Sequence, residues 1–151
     1  MKIASIVNRK GRQITSIRET APMAEAVETM HSQSIGSVAV LGASSSEILG
    51  IFSQQELTEC IAVRGIHALQ LPVLIFMRKP ALFCNCEDNA ANVMRTMTRD
   101  RCRHVIVRTV GGALAGIVSL GDLVAALLEE AQLEAGVLRD MARSHLLAMP
   151  S

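Results

Sequence analysis

Two short patterns in this chain have the residue types and spacing for chemistry: Ser53-x-x-Glu56 and Ser119-x-x-Asp122. A serine followed three residues later by a carboxylate, just ahead of an apolar run, is the capping box of a helix start. A third set is Cys84-x-Cys86 with Cys102-x-His104. Alternate residues on a strand share a face, so each pair can present two metal ligands together. A zinc reading requires both pairs to converge, and the usual two-residue spacer is missing. The competing role of a free Cys is that of a small buried hydrophobe. His31, His67 and His145 have no partners at informative spacing, and a solvated or capping role suits each. Neither a nucleophile-elbow glycine pattern nor a P-loop is present. No catalytic residue and no metal ligand are assigned, and the expected protein is not an enzyme.

The elements that position these residues are read from a repeat. Sliding the chain on itself by roughly 67 residues puts Met23, Ala26, Val27 and Met30 on Ala90, Val93, Met94 and Met97. Both sets have the i, i+3, i+4, i+7 spacing of one buried helical face. Each is followed by an apolar strand, Ile35 to Leu41 and Cys102 to Val107. A turn and a second strand come next, Ile48 to Ser53 and Leu114 to Ser119. Further helices start at Gln54 and Leu120, and short extended stretches open the halves at Ile14 to Ile17 and Ala81 to Cys84. The expected fold is α/β, a β-α-β-β-α unit used twice, with Pro72 and Pro80 marking the connector. Neither unit buries its sheet face alone, so the two units are expected to pack together with their helices outward. The expected organisation is residues 1–71, 72–131, and a carboxy-terminal helix and tail over 132–151.

Composition narrows the function. Half of the 151 residues are hydrophobic, yet there are three Phe, no Tyr and no Trp. The core is therefore aliphatic, and platforms for stacking single-stranded nucleic acid are missing. The net charge of +1 is spread without blocks, which argues against a nucleic-acid stripe or a basic membrane surface. The apolar segment Val110 to Leu128 is broken by Ser119, Asp122 and glycines, so it reads as a strand and helix rather than a membrane span. Four Cys with no secretion signal point to reduced thiols in a cytoplasm. The last helix is expected to run from Gly121 to about Leu147. Val124, Leu128, Ala131, Ala135, Leu138 and Ala142 form a heptad seam along it, weakened by Gly136.

The repeat, ending in Gly-apolar-x-Ser-x-x-Asp, resembles the CBS domain, whose paired form is often called a Bateman module. The stronger match is Arg101-Cys102-Arg103-His104-Val105-Ile106-Val107 with Gly116-Ile117-Val118-Ser119-Leu120-Gly121-Asp122-Leu123. The weaker copy is Ile35-Gly36-Ser37-Val38-Ala39-Val40 with Gly50-Ile51-Phe52-Ser53-Gln54-Gln55-Glu56-Leu57. The resemblance runs from about Met1 to about Glu130 and is nearest to short stand-alone bacterial pairs.

The resemblance implies a regulatory module that binds an adenine nucleotide, AMP or ATP, and needs no cofactor for catalysis. It implies a homodimer acting on an unknown regulated protein, and the seam on the last helix offers the dimer contact. Ser119 would contact a phosphate and Asp122 the ribose hydroxyls. Gly116 and Ile117 would let the backbone approach, and Arg103 and His104, beside Val105, would supply cationic phosphate contacts. A helix amino terminus suits a phosphate on physical grounds, and capping is compatible with binding. The first half departs from the pattern: Glu56 stands where Asp is expected and Gln55 where relatives often carry Arg, so its site is expected to be empty or altered. Phe83 stands where relatives often have Thr beside the adenine, and there it either stacks on the base or fills its pocket. Two rival readings are a ligand-free interaction module and a metal or thiol-redox sensor.

Overall fold

Ile3, Ile6 and Val7 are spaced to line one side of a helix, and the chain opens with α1 (Ile3–Lys10), ended by Gly11 at φ 103. The computed structural model describes residues 1–150. After α1 come β1 (Ser16–Arg18), α2 (Met23–Gln33), β2 (Ser37–Leu41), β3 (Ile48–Ser53) and α3 (Gln54–Arg64). Two short 3₁₀ turns, Ile66–Gln70 and Val73–Ile75, form the connector. The second half repeats the pattern as β4 (Phe83–Asn85), α4 (Ala90–Asp100), β5 (His104–Arg108), β6 (Leu114–Ser119) and α5 (Leu120–Ala148). The expected β-α-β-β-α units are present twice. The first strand of each begins two residues later than the periodicity placed it, and α1 was not foreseen.

Each half is a three-stranded sheet, β1-β2-β3 and β4-β5-β6, with the first pair parallel and the second antiparallel. The halves match in detail. α2 and α4 both end on a non-glycine residue in the left-handed region, Ser34 at φ 53 and Arg101 at φ 55. Each of these turns the chain sharply into the next strand. Both hairpins carry a register irregularity, at Val40/Leu41 and at Val107/Arg108.

One face of each sheet is covered by its own helices: Met23, Ala26 and Met30 pack on Val38, Val40 and Phe52, and Ala90, Val93 and Met97 on Val105, Val107 and Val118. The other faces meet each other through Ala39, Ile48 and Ile51 against Ala81, Ile106 and Ile117. Burial of these aliphatic groups is the main force joining the halves.

The segment ahead of each first strand covers the opposite half. α1 precedes β1 in sequence, yet Ile3, Ile6 and Val7 lie in the second core, and the Ile3 and Ala4 N–H groups donate to Asp88 and Cys86 carbonyls at 3.0 and 2.9 Å. The connector ahead of β4 does the reverse, seating Ala68, Val73 and Met77 in the first core. Gly50 is required by this crossing. Ile51 exchanges backbone hydrogen bonds with Arg78, and a Cβ on Gly50 would stand 2.4 Å from the Arg78 carbonyl oxygen.

Candidate functional site

Ser119 ends β6 and caps α5. Its hydroxyl accepts from the Asp122 N–H at 3.0 Å, and Asp122 Oδ2 accepts from the Ser119 N–H at 2.9 Å. The capping box read from the sequence is formed, and it fixes the carboxylate at the helix start. Lys10, in the last turn of α1, places its Nζ 2.5 Å from the same Oδ2. Burial opposes ionisation of Asp122, but the hydrogen bonds from Lys10 and Ser119 outweigh it and hold the carboxyl below its usual range.

These groups open onto a cleft of about 1000 Å³ between the two halves. Arg103, His104, Ile117, Ser119 and Asp122 line it from the second half. From the first half come Thr15 beside β1, Gly36 and Ser37 at the start of β2, and Ser53 and Gln54 at the start of α3. Two helix amino termini, of α3 and α5, therefore share one cleft, and unpaired backbone N–H groups at such ends favour anions.

Burial pushes the His104 pKa down to about 4, with Lys10 and Arg103 adding to the fall and Asp122 opposing it. At neutral pH the imidazole is thus neutral. The sequence expectation made His104 a cation. Its place inside the cleft wall changes it to a neutral hydrogen-bonding group, and Lys10 and Arg103 are left as the cations.

The remaining expected residues lie elsewhere. Phe83 and Val105 line a separate pocket of about 190 Å³ with Asp88, Asn92 and Thr96. The Arg108 guanidinium stacks 3.7 Å above the Phe83 ring centre, so the aromatic face is already in use. Gly116 does not line the large cleft. It lies against the end of α1, where a Cβ would meet the Gly11 carbonyl oxygen and Val7 at 3.5 Å.

The first-half counterpart of the cleft is closed. Glu56 is buried and turned back on its own cap, accepting from both the N–H and the hydroxyl of Ser53. The space beside it, bounded by Arg78, Ala81, Leu82 and Arg103, is about 10 Å³, at the limit for a single water.

The cysteines do not assemble. Among the described residues no three His, Cys, Asp or Glu side chains are placed to hold a metal ion. Cys84 packs on the second core, and burial pushes its thiol up to about 12, which suppresses the reactive thiolate. No helix among the described residues is long and apolar enough to cross a membrane.

Sequence reasoning missed Lys10, Thr15, Gly36, Ser37 and Gln54. The repeat carried a signal for the middle ones, because Gly36-Ser37 falls on Arg103-His104 when the halves are superposed. For Lys10 the signal was the Ile3, Ile6, Val7 spacing, which continues at i+7.

The CBS domain model matches residues 4–63 and 73–129. Among solved structures, the CBS-domain containing protein ATU1752 from Agrobacterium tumefaciens is 35% identical, with a TM-score of 0.76 over 83% of this chain and 92% of that one. The CBS domain protein PAE2072 from Pyrobaculum aerophilum, solved in complex with AMP, is 23% identical, with a TM-score of 0.72 over 87% of this chain and 99% of that one. The CBS domain pair of protein MJ0100, in complex with 5-methylthioadenosine and S-adenosylmethionine, is 12% identical, with a TM-score of 0.72 over 86% and 98% of the two chains. The double match and the paired β-α-β-β-α architecture make this chain a tandem pair of CBS domains, a member of that family of regulatory modules.

Proposed function

We propose that this CBS pair senses an adenine nucleotide, AMP or ATP, in the cleft at the start of α5, without catalysing a reaction. The observation that carries the reading is the pairing of Ser119 and Asp122 at a helix amino terminus that opens onto a cleft of about 1000 Å³. Ligand pockets for small molecules run to roughly 300–1000 Å³, so a nucleotide is a suitable occupant. The α5 start suits a phosphate, and the Asp122 carboxylate suits two vicinal ribose hydroxyls. The AMP complex of the Pyrobaculum aerophilum protein supports the choice of ligand. A ligand touching both halves changes their relative orientation only if it binds one arrangement more tightly than another. A partner protein reads that arrangement, and the module works as a homodimer joined through α5.

The second reading is a ligand-free interaction module. It is favoured by the closed first-half site around Glu56 and by Lys10, which already occupies the Asp122 carboxylate.

Thermal unfolding of the metal-free protein with AMP, ATP, NADH and S-adenosylmethionine, repeated with Asp122→Ala, separates the two. A ligand that binds only the folded state raises the melting temperature. A shift with AMP or ATP that disappears in Asp122→Ala supports the sensor. No shift with any ligand at millimolar concentration leaves the interaction module as the better description.

A further inference from the structure

We infer that Lys10 makes this cleft select anionic adenosine ligands over neutral and cationic ones, a role that rests on the nucleotide reading above. Asp122 Oδ2 accepts two hydrogen bonds, from the Ser119 N–H at 2.9 Å and from Lys10 Nζ at 2.5 Å. Two acceptor sites per carboxylate oxygen is the usual capacity, so Oδ2 is full. Gripping two vicinal hydroxyls in bidentate fashion uses both oxygens of the carboxylate. A ribose taken that way must displace Lys10 from Oδ2.

The cost of that displacement depends on what else the ligand carries. The Lys10 ammonium leaves its counter-charge and stays in a cleft wall that also holds the Arg103 guanidinium. The His104 imidazole beside them is neutral and supplies no negative charge. A phosphate replaces the lost carboxylate and pairs with Lys10 and Arg103. Adenosine brings no compensating charge, and S-adenosylmethionine, with a sulfonium and an ammonium against a single carboxylate, is net positive. Lys10 therefore penalises every ligand that claims Asp122 without carrying a net negative charge of its own. It does so from α1, whose Ile3, Ile6 and Val7 are locked in the second core, so the ammonium is delivered by a rigid element.

Isothermal titration of the intact protein with AMP, adenosine and S-adenosylmethionine tests this in the wild type, Lys10→Met and Lys10→Arg. Lys10→Met keeps the aliphatic stem, and a melting curve verifies its fold. The wild type is expected to prefer AMP over adenosine by at least about tenfold, a margin in keeping with charge-assisted bonding to phosphate. In Lys10→Met the ratio should fall to within about threefold, with adenosine binding more tightly than to the wild type, while Lys10→Arg retains the preference. An unchanged ratio in Lys10→Met, with AMP still bound, overturns the role of Lys10 and leaves the nucleotide reading intact. No binding of any ligand to the wild type or to Lys10→Met overturns the nucleotide reading, and this inference with it.

Discussion

The imidazole of His104, the first residue of β5, lies against the backbone of Gly36, the residue before β2 in the other half. A Cβ on Gly36 would stand 3.4 Å from His104 Nε2. The two positions are near-equivalents in the repeat, so the contact crosses the pseudo-twofold axis where the halves meet. It also explains why His104 is desolvated: the ring fills the seam between two strand starts, at the inner wall of the cleft.

That burial sets a pH dependence. The His104 pKa is about 4 in the folded protein, below the ordinary value of 6.5. Between those values the unfolded chain binds the proton and the folded one does not, so stability falls as pH drops through this window. Lys10 and Arg103 deepen the shift and Asp122 opposes it. Denaturant unfolding from pH 7.5 to 4.5 should show a loss of about 2 kcal/mol, and His104→Gln should remove most of it. A wild-type protein equally stable at both ends would show that the imidazole is not held neutral.

Substitutions at Phe83 and Gly36 should differ in their effect on nucleotide binding. Phe83 lines the smaller pocket and stacks with Arg108, away from Asp122. Phe83→Ala is expected to cost about 2 kcal/mol of stability through lost packing, with AMP affinity within about twofold of the wild type. Gly36→Val pushes a branched side chain at His104 and into the cleft, and should weaken AMP at least about tenfold at modest cost in stability. Titration of both variants decides the matter, and a large loss of affinity in Phe83→Ala would place the base in the smaller pocket.

The outer half of α5 bears on assembly. From Ala131 to Ala148 it is exposed but for the half-buried Gly136, and Leu133, Val137, Leu138, Met141 and Leu146 lie open. Most helical stability comes from packing an apolar face rather than from propensity, so a second copy packed along Val124, Leu128, Ala131, Ala135 and Leu138 would stabilise it. Light scattering should give a dimeric mass for the wild type and a monomeric mass for Leu128→Asp/Leu138→Asp. A dimer that survives the double substitution would move the interface off this seam.

The repeat itself was legible in the chain because local periodicity encodes secondary structure. The Met23, Ala26, Met30 face and its copy at Ala90, Val93 and Met97 announced two equivalent helices. The apolar strands and the capping serines then fixed where α3 and α5 begin, at Gln54 and Leu120. The roles of Ser119 and Asp122 as caps needed nothing more, since a capping box is a contact between residues three apart.

What the tertiary structure decided was which residues from distant parts of the chain share a cleft. An apolar stripe states that a face is covered and leaves open by what, since both cores are equally aliphatic. The Ile3, Ile6 and Val7 spacing marks the helix that carries Lys10, but it could not reveal that α1 crosses to the second half, where Lys10 meets Asp122. Phe83 and Asp122 were joined in one site by reading a single repeat, whereas the cleft is built across the pseudo-twofold from Thr15, Gly36 and Ser37 of one half and Asp122 of the other. Face-to-face docking of two sheets sets that pairing, and its energy lies in the Ile51, Ile106 and Ile117 contacts rather than in any local pattern.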